Sequence, residues 1–169
     1  MPSRRTPDPI RLDVLIEAEG WPSAAVLRRL ARRAVDAAAA EARLKFGTGA
    51  ELSLVFADDE RLRGLNAAYR SKDMPTNVLS FPSAATAATS DFHMLGDIVL
   101  GLETIEIEAE AGSLKMNDHL VHLIVHGFLH LCGYDHETDD QAAVMEGLES
   151  RVLERLGIAD PYAVPRPGE

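Results

Sequence analysis

DHLVHLIVHGFLHLCGYDH, residues 118–136, decides how this chain is built. Its first fourteen residues are apolar nearly all the way round a helical wheel, which marks a helix buried at the centre of a protein rather than one lying on its surface. Gly133 stops that helix, because glycine takes the left-handed conformation that lets the chain turn back. A fully buried helix needs apolar layers on every side, so the rest of the chain must supply them.

The flanking segments do so. Residues 10–18 alternate apolar and polar with β-branched Ile and Val, the pattern of a strand. From Ser23 the period changes: Leu27, Leu30, Ala31, Ala34, Val35 and Ala38 form one stripe of a helix reaching about Leu44, closed by Gly47 and Gly49. ELSLVFA (51–57) reads as a second strand. Asp58 or Asp59 then caps a short helix with an acidic first turn, DERLRGLNAAYR. TNVLSF (76–81) and MLGDIVLG (94–101) are two more strands, joined by an Ala/Ser/Thr-rich loop at 83–91. Helices follow at 103–111, at 118–131 and after Thr138, which forms a capping box with Gln141. That last helix turns Met145, Leu148, Val152 and Leu156 inward and ends at Gly157. The order βαβαββααα predicts one α+β domain spanning residues 1–169: a small mixed sheet of about four strands packed by about five helices. Residues 1–9 and 163–169 are expected to be tails.

Within residues 118–136 the histidines carry the chemistry. His119, His122, His126 and His130 are spaced 3, 4 and 4, so at ~100° per residue they share an arc of roughly 80°. They cannot all hold one ion, because His122 and His130 are ~12 Å of helical rise apart. An i,i+4 pair can converge on a metal, and both His122/His126 and His126/His130 qualify. Gly133 favours the second pair, since the turn it permits carries His136 back towards the helix end. The expected clamp is therefore His126, His130 and His136, with one Zn²⁺ per chain and a fourth position left for water, as in catalytic zinc sites. A single histidine on an apolar face is more often a hydrogen-bonded core residue; three at this spacing with a glycine turn reverse that balance. Cys132 lies off this arc and reads as a small buried hydrophobe.

The frame matches the zinc protease pattern H-E-x-x-H-x-x-G-x-x-H, except that Gly127 stands where the protease keeps its general base. Zinc can bring the pKa of water to ~7 without a carboxylate base. The clamp therefore suits a phosphodiester better than a peptide. Asp135 and Glu137, flanking the third histidine, are candidates for orienting an imidazole.

Composition limits the partners. The net charge is −10, but residues 1–85 hold 13 Lys/Arg against 11 Asp/Glu (+2) and residues 86–169 hold 4 against 16 (−12). The basic residues cluster as Arg28, Arg29, Arg32 and Arg33, and again as Arg61, Arg63, Arg70 and Lys72. A phosphate backbone needs a local positive strip rather than a basic protein, so RNA is permitted though not required. No apolar h-region follows the first ten residues. The sequence predicts neither signal peptide nor membrane anchor, and one cysteine fits a cytoplasmic setting. The segment NAAYRSKDMPTNVLSFP (66–82) places Arg70 and Lys72 in a loop before a strand, where cations beside a metal would stabilise phosphoryl transfer.

YRSKDMPTNVLSFP (69–82), LGDIVL (95–100), HGFLHLCGYDHETDD (126–140), MEGLESRVLERLG (145–157) and DPY (160–162) together resemble the YbeY family of bacterial endoribonucleases. The resemblance runs from about Glu51 to Tyr162. It implies a single-strand-specific, metal-dependent endoribonuclease acting in 3′-end maturation of small-subunit rRNA and in ribosome quality control. It also implies zinc on His126, His130 and His136 and a role for Arg70 in catalysis or RNA binding. Small-subunit ribosomal proteins and a ribosome-assembly GTPase are the implied partners. Lys72, Asn77, Ser80 and His122 are further candidates for substrate contact. Two rival readings are a metallopeptidase using another carboxylate, such as Asp135, as base, and a non-catalytic ribosome-binding module with structural zinc.

Overall fold

A computed structural model describes residues 10–46, 49–83 and 93–162. Nine elements run in the order β1 (Ile10–Ile16), α1 (Ala24–Glu41), β2 (Ala50–Ala57), α2 (Asp59–Arg70), β3 (Val78–Pro82), β4 (His93–Gly101), α3 (Leu102–Ala111), α4 (Met116–Leu131) and α5 (Asp139–Arg155). The sheet order is β1-β2-β4-β3, with β1, β2 and β4 parallel and β3 antiparallel to β4 on the edge. This is the α+β domain with a four-stranded mixed sheet and five helices that the sequence predicts. The expected tails, Gly47, and all of the 83–91 loop except Ser83 lie outside the described residues.

One face of the sheet and helices α1, α4 and α5 enclose the main core, with Phe56, Phe128, Leu54, Ile98 and Ile124 fully buried. Each such side chain contributes about 1.5–3 kcal/mol from leaving water. Helix α4 lies at the centre, touching α1, α3, α5, β3 and β4, so its apolar circumference is used on every side. The other face carries a smaller cluster, Ala57, Leu62, Leu79 and Val99, under α2.

Boundaries differ from the sequence pattern where local hydrogen bonding overrides periodicity. Helix α1 stops at Glu41, before Leu44, because Arg43 turns left-handed (φ 55°). The Leu44 N–H then reaches Ala39 O at 2.9 Å and the Arg43 N–H reaches Ala40 O at 3.2 Å, the paired bonds of a Schellman ending. Strand β1 ends at Ile16, two residues early. Strand β3 begins at Val78 and takes in Pro82, which an edge strand tolerates because no ladder N–H is needed there.

Asp58 is the α2 cap, its side chain accepting from the Arg61 N–H at 2.9 Å. Asp59 does something else. Its carboxylate accepts from the Thr104 N–H (3.0 Å) and hydroxyl (2.8 Å), while the Glu103 carboxylate accepts from the Asp59 N–H (2.7 Å). The first turns of α2 and α3 thus cap each other across the molecule. Glycine is required at position 96, where φ is +145° and a Cβ would meet Phe81 O at 2.3 Å. The β2–β4 register shifts beside it.

Candidate metal centre

The last turn of α4 and the loop after it converge as the spacing predicts. Gly133 is left-handed (φ 100°), and its N–H and that of Tyr134 bond back to His130 O and Leu129 O at 3.1 and 3.0 Å. The reversal sets the His136 ring 4.9 Å from that of His130 and 5.7 Å from that of His126. One ligand nitrogen from each of His126, His130 and His136 lies within 4.8 Å of the others, and among the described residues this is the one such cluster of histidines, cysteines or acids.

The donor set fits a divalent ion. The Nε2 atoms of His126 and His130 stand 3.1 Å apart, close to the ~3.3 Å that two bonds of ~2.0–2.1 Å at a tetrahedral angle would span. Burial, and then the neighbouring His126 and His136, hold the His130 pKa below its ordinary 6.5. The ring therefore keeps a free lone pair at neutral pH.

The residue that sets up His126 is Glu149, which sequence reasoning did not identify. Its side chain is fully buried and accepts from His126 Nδ1 at 2.6 Å and from the Tyr162 hydroxyl at 2.6 Å. Burial alone would push this carboxyl up; contacts from His122, His126 and Tyr162 outweigh it and bring the pKa down to about 2. An ionised Glu149 fixes the His126 proton on Nδ1 and turns the bare Nε2 to the cluster. Neither Asp135 nor Glu137 takes this role: Asp135 accepts from the His136 backbone N–H at 2.8 Å. The missed signal was a glutamate on the inward stripe of α5, between Leu148 and Val152.

Position 127, where the protease keeps its base, is tightly packed. Gly127 faces the sheet, and a Cβ there would lie 3.0 Å from Ser80 Oγ and 3.1 Å from Ile98 Cγ2. The Ser80 hydroxyl donates to Gly127 O at 3.0 Å. Any side chain at 127 would have to push Ser80 and Ile98 aside by a few tenths of an ångström.

A cavity of about 310 Å³ opens over the three histidines, lined also by Arg70, Lys72, Ser80, Asn66 and Thr76. Arg70 and Lys72 are exposed and have no ion-pair partner among the described residues, whereas Arg63 is held by Asp73 at 2.7 Å and Arg61 lies 3.6 Å from Glu17. The α1 arginines lie elsewhere: Arg32 donates to Ile10 O and Arg33 to Leu156 O. Asn77 and His122 are not in the lining of this cavity. Asn77 Nδ2 donates to Glu108, which also meets His119 Nε2 at 3.1 Å. His122 lies against Tyr162, its Nε2 3.7 Å from Glu149 and without a hydrogen-bond partner among the described residues. Burial pushes the Cys132 thiol up to about 12, so it is no ready thiolate ligand.

An α+β domain thus carries three imidazoles that could hold a metal ion, beside two exposed cations with no ion-pair partner among the described residues. A family model described as endoribonuclease YbeY matches residues 17–157. Proteins carrying that name from Allorhizobium ampelinum (48% identical over 90% of this chain and 94% of theirs) and Azorhizobium caulinodans (45%, over 94% and 100%) are similar along nearly their whole length. The chain belongs to the YbeY family. The solution structure of TM1509 from Thermotoga maritima shares the fold, with a TM-score of 0.53 at 21% identity over 94% of this chain and 99% of that one. No helix among the described residues is long and apolar enough to cross a membrane.

Proposed function

We propose that this chain is a zinc-dependent endoribonuclease that cuts single-stranded RNA and serves 3′-end maturation of small-subunit rRNA, and with it ribosome quality control. The observation that carries the reading is the juxtaposition of the clamp with Arg70 and Lys72 around one cavity. His126, His130 and His136 would hold the ion. When bound, zinc supplies Lewis-acid polarisation of a phosphate oxygen and activation of water near neutral pH.

The protein's own residues do the rest. Arg70 and Lys72, which line the same cavity as the histidines, would meet the phosphate and offset the charge that grows on its oxygens during displacement. Glu149, through Nδ1, fixes the His126 tautomer and ring plane. The Ser80–Gly127 bond holds α4 against β3, so that clamp and cations keep their spacing. The cavity sits between an edge strand and a helix end, a position that supports the single-strand reading. Ribosomal small-subunit proteins and an assembly GTPase are the partners the family implies, in a cytoplasmic setting.

The test is digestion by zinc-loaded and chelator-stripped protein of a single-stranded RNA, the same RNA annealed to its complement, and a peptide library. Zinc-dependent cutting of the single strand alone is the expected result. Peptide cleavage would favour the protease-like alternative, and RNA binding without cutting the non-catalytic one.

A further inference from the structure

The outer face of the sheet is only partly roofed by α2, and beside that roof runs a groove of about 580 Å³. Tyr69 stands over it 70% exposed, its ring edge-on to Phe81 at 5.3 Å. Leu65 and Pro82 extend the apolar wall; Arg61 lines it with its ion-pair partner Glu17, 3.6 Å away, and Asp97 adds a second carboxylate. Asp97 has no side-chain partner among the described residues.

The groove borders the metal cleft. Pro82 lines both this groove and a second cavity, shared by Arg70, Ser80, His130 and His136. Tyr69 and Arg70 are consecutive at the end of α2, so one turn of helix puts a flat ring over the outer face and a guanidinium over the clamp. Along β3, Ser80 lies against α4 while Phe81 faces the groove.

We infer that this groove is a nucleobase subsite: a base of single-stranded RNA next to the scissile phosphate stacks on Tyr69, and its amino edge donates to Asp97. The inference rests on the endonuclease reading and adds what the clamp lacks, a group that grips the base rather than the phosphate. Base–aromatic stacking is sequence-tolerant because every base has a π-face, and the carboxylate adds a bias towards guanine, adenine and cytosine over uracil, which has no amino group. A duplex cannot use the groove, since its bases are already stacked on one another. An apolar partner helix fits it poorly, because it would strip water from the Asp97 carboxylate and offer it no hydrogen bond.

The experiment measures the affinity of the zinc-loaded full chain for a cleavage-resistant phosphorothioate RNA strand, by fluorescence anisotropy, in a series with one base removed at each position in turn. Tyr69→Ala should weaken binding about five- to 150-fold, the range that losing one base–aromatic stack gives, at unchanged zinc content. One abasic position should reproduce that loss in the parent protein and add nothing in Tyr69→Ala, while Tyr69→Trp keeps full affinity. If Tyr69→Ala binds as tightly as the parent, or if every abasic penalty persists in it unchanged, the subsite is wrong whether or not RNA is cut. If binding depends on Tyr69 but a normal RNA strand is never cleaved, it is the nuclease reading that fails.

Discussion

The two ends of α4 carry histidine pairs at nearly the same spacing, and they come to opposite ends. His126 and His130 meet a third imidazole delivered by the Gly133 turn and a buried carboxylate behind them. His119 meets Glu108, His122 lies against Tyr162 and 3.7 Å from the same Glu149 oxygen that His126 holds, and each keeps one buried nitrogen with no hydrogen-bond partner among the described residues. Helical spacing offers ligands, but what the neighbouring chain brings to them decides whether a metal site results.

The sharpest way to break the contrast is to empty the clamp. His130→Ala should remove zinc and RNA cleavage together; zinc content by mass spectrometry and a gel cleavage assay check this, and normal cutting without zinc would end the metal account. Arg70→Glu should keep zinc at parent stoichiometry and lower kcat by about 10²–10³, the scale of removing one group that stabilises transition-state charge. Retained activity there would take Arg70 out of the site.

Glu149→Gln tests the support behind the clamp. Zinc affinity, from competition with a chromophoric chelator, should fall about 10- to 100-fold, as for other residues that orient a ligating imidazole. The parent protein should also carry an acid-sensitive increment of stability that this variant lacks. The folded-state pKa of Glu149 is depressed to about 2, so the increment is present above the unfolded value near 4.5 and is lost as pH falls from there towards 2. Circular dichroism of the two metal-free proteins through that window measures it. The smallest effect belongs to the other end of the helix: His119→Ala should cost about 1 kcal/mol of stability through its lost contact with Glu108, with zinc content and kcat unmoved.

The fold was largely legible because its signals are local. Alternation marked the strands, the capping box at Thr138 marked α5, and an apolar circumference marked α4 as central. The clamp was legible for the same reason, since two ligands sit one turn apart on one helix and the third follows a single glycine turn. The rest depends on contacts distant in sequence. Glu149 is 23 residues from the ring it orients, and on its own helix it reads only as an acid interrupting an apolar stripe. Asn77, close to Arg70 along the chain, turns away to Glu108 because the start of β3 points its amide across to α3. Asp58 and Asp59 are equivalent as caps in sequence, and only the packing of α3 separates them.

Arg70 sits at the far end of a 12-residue helix, whose other end is clasped by Glu103 and Thr104. With ~1.5 Å of rise per residue, that helix is a lever of about 16 Å, and a 5° tilt at its clasp would swing the guanidinium by about 1.4 Å. Misplacements of that size can cost about two orders of magnitude in rate. On the proposed nuclease reading, the clasp at Asp59 would set the aim of Arg70 from the opposite end of its helix.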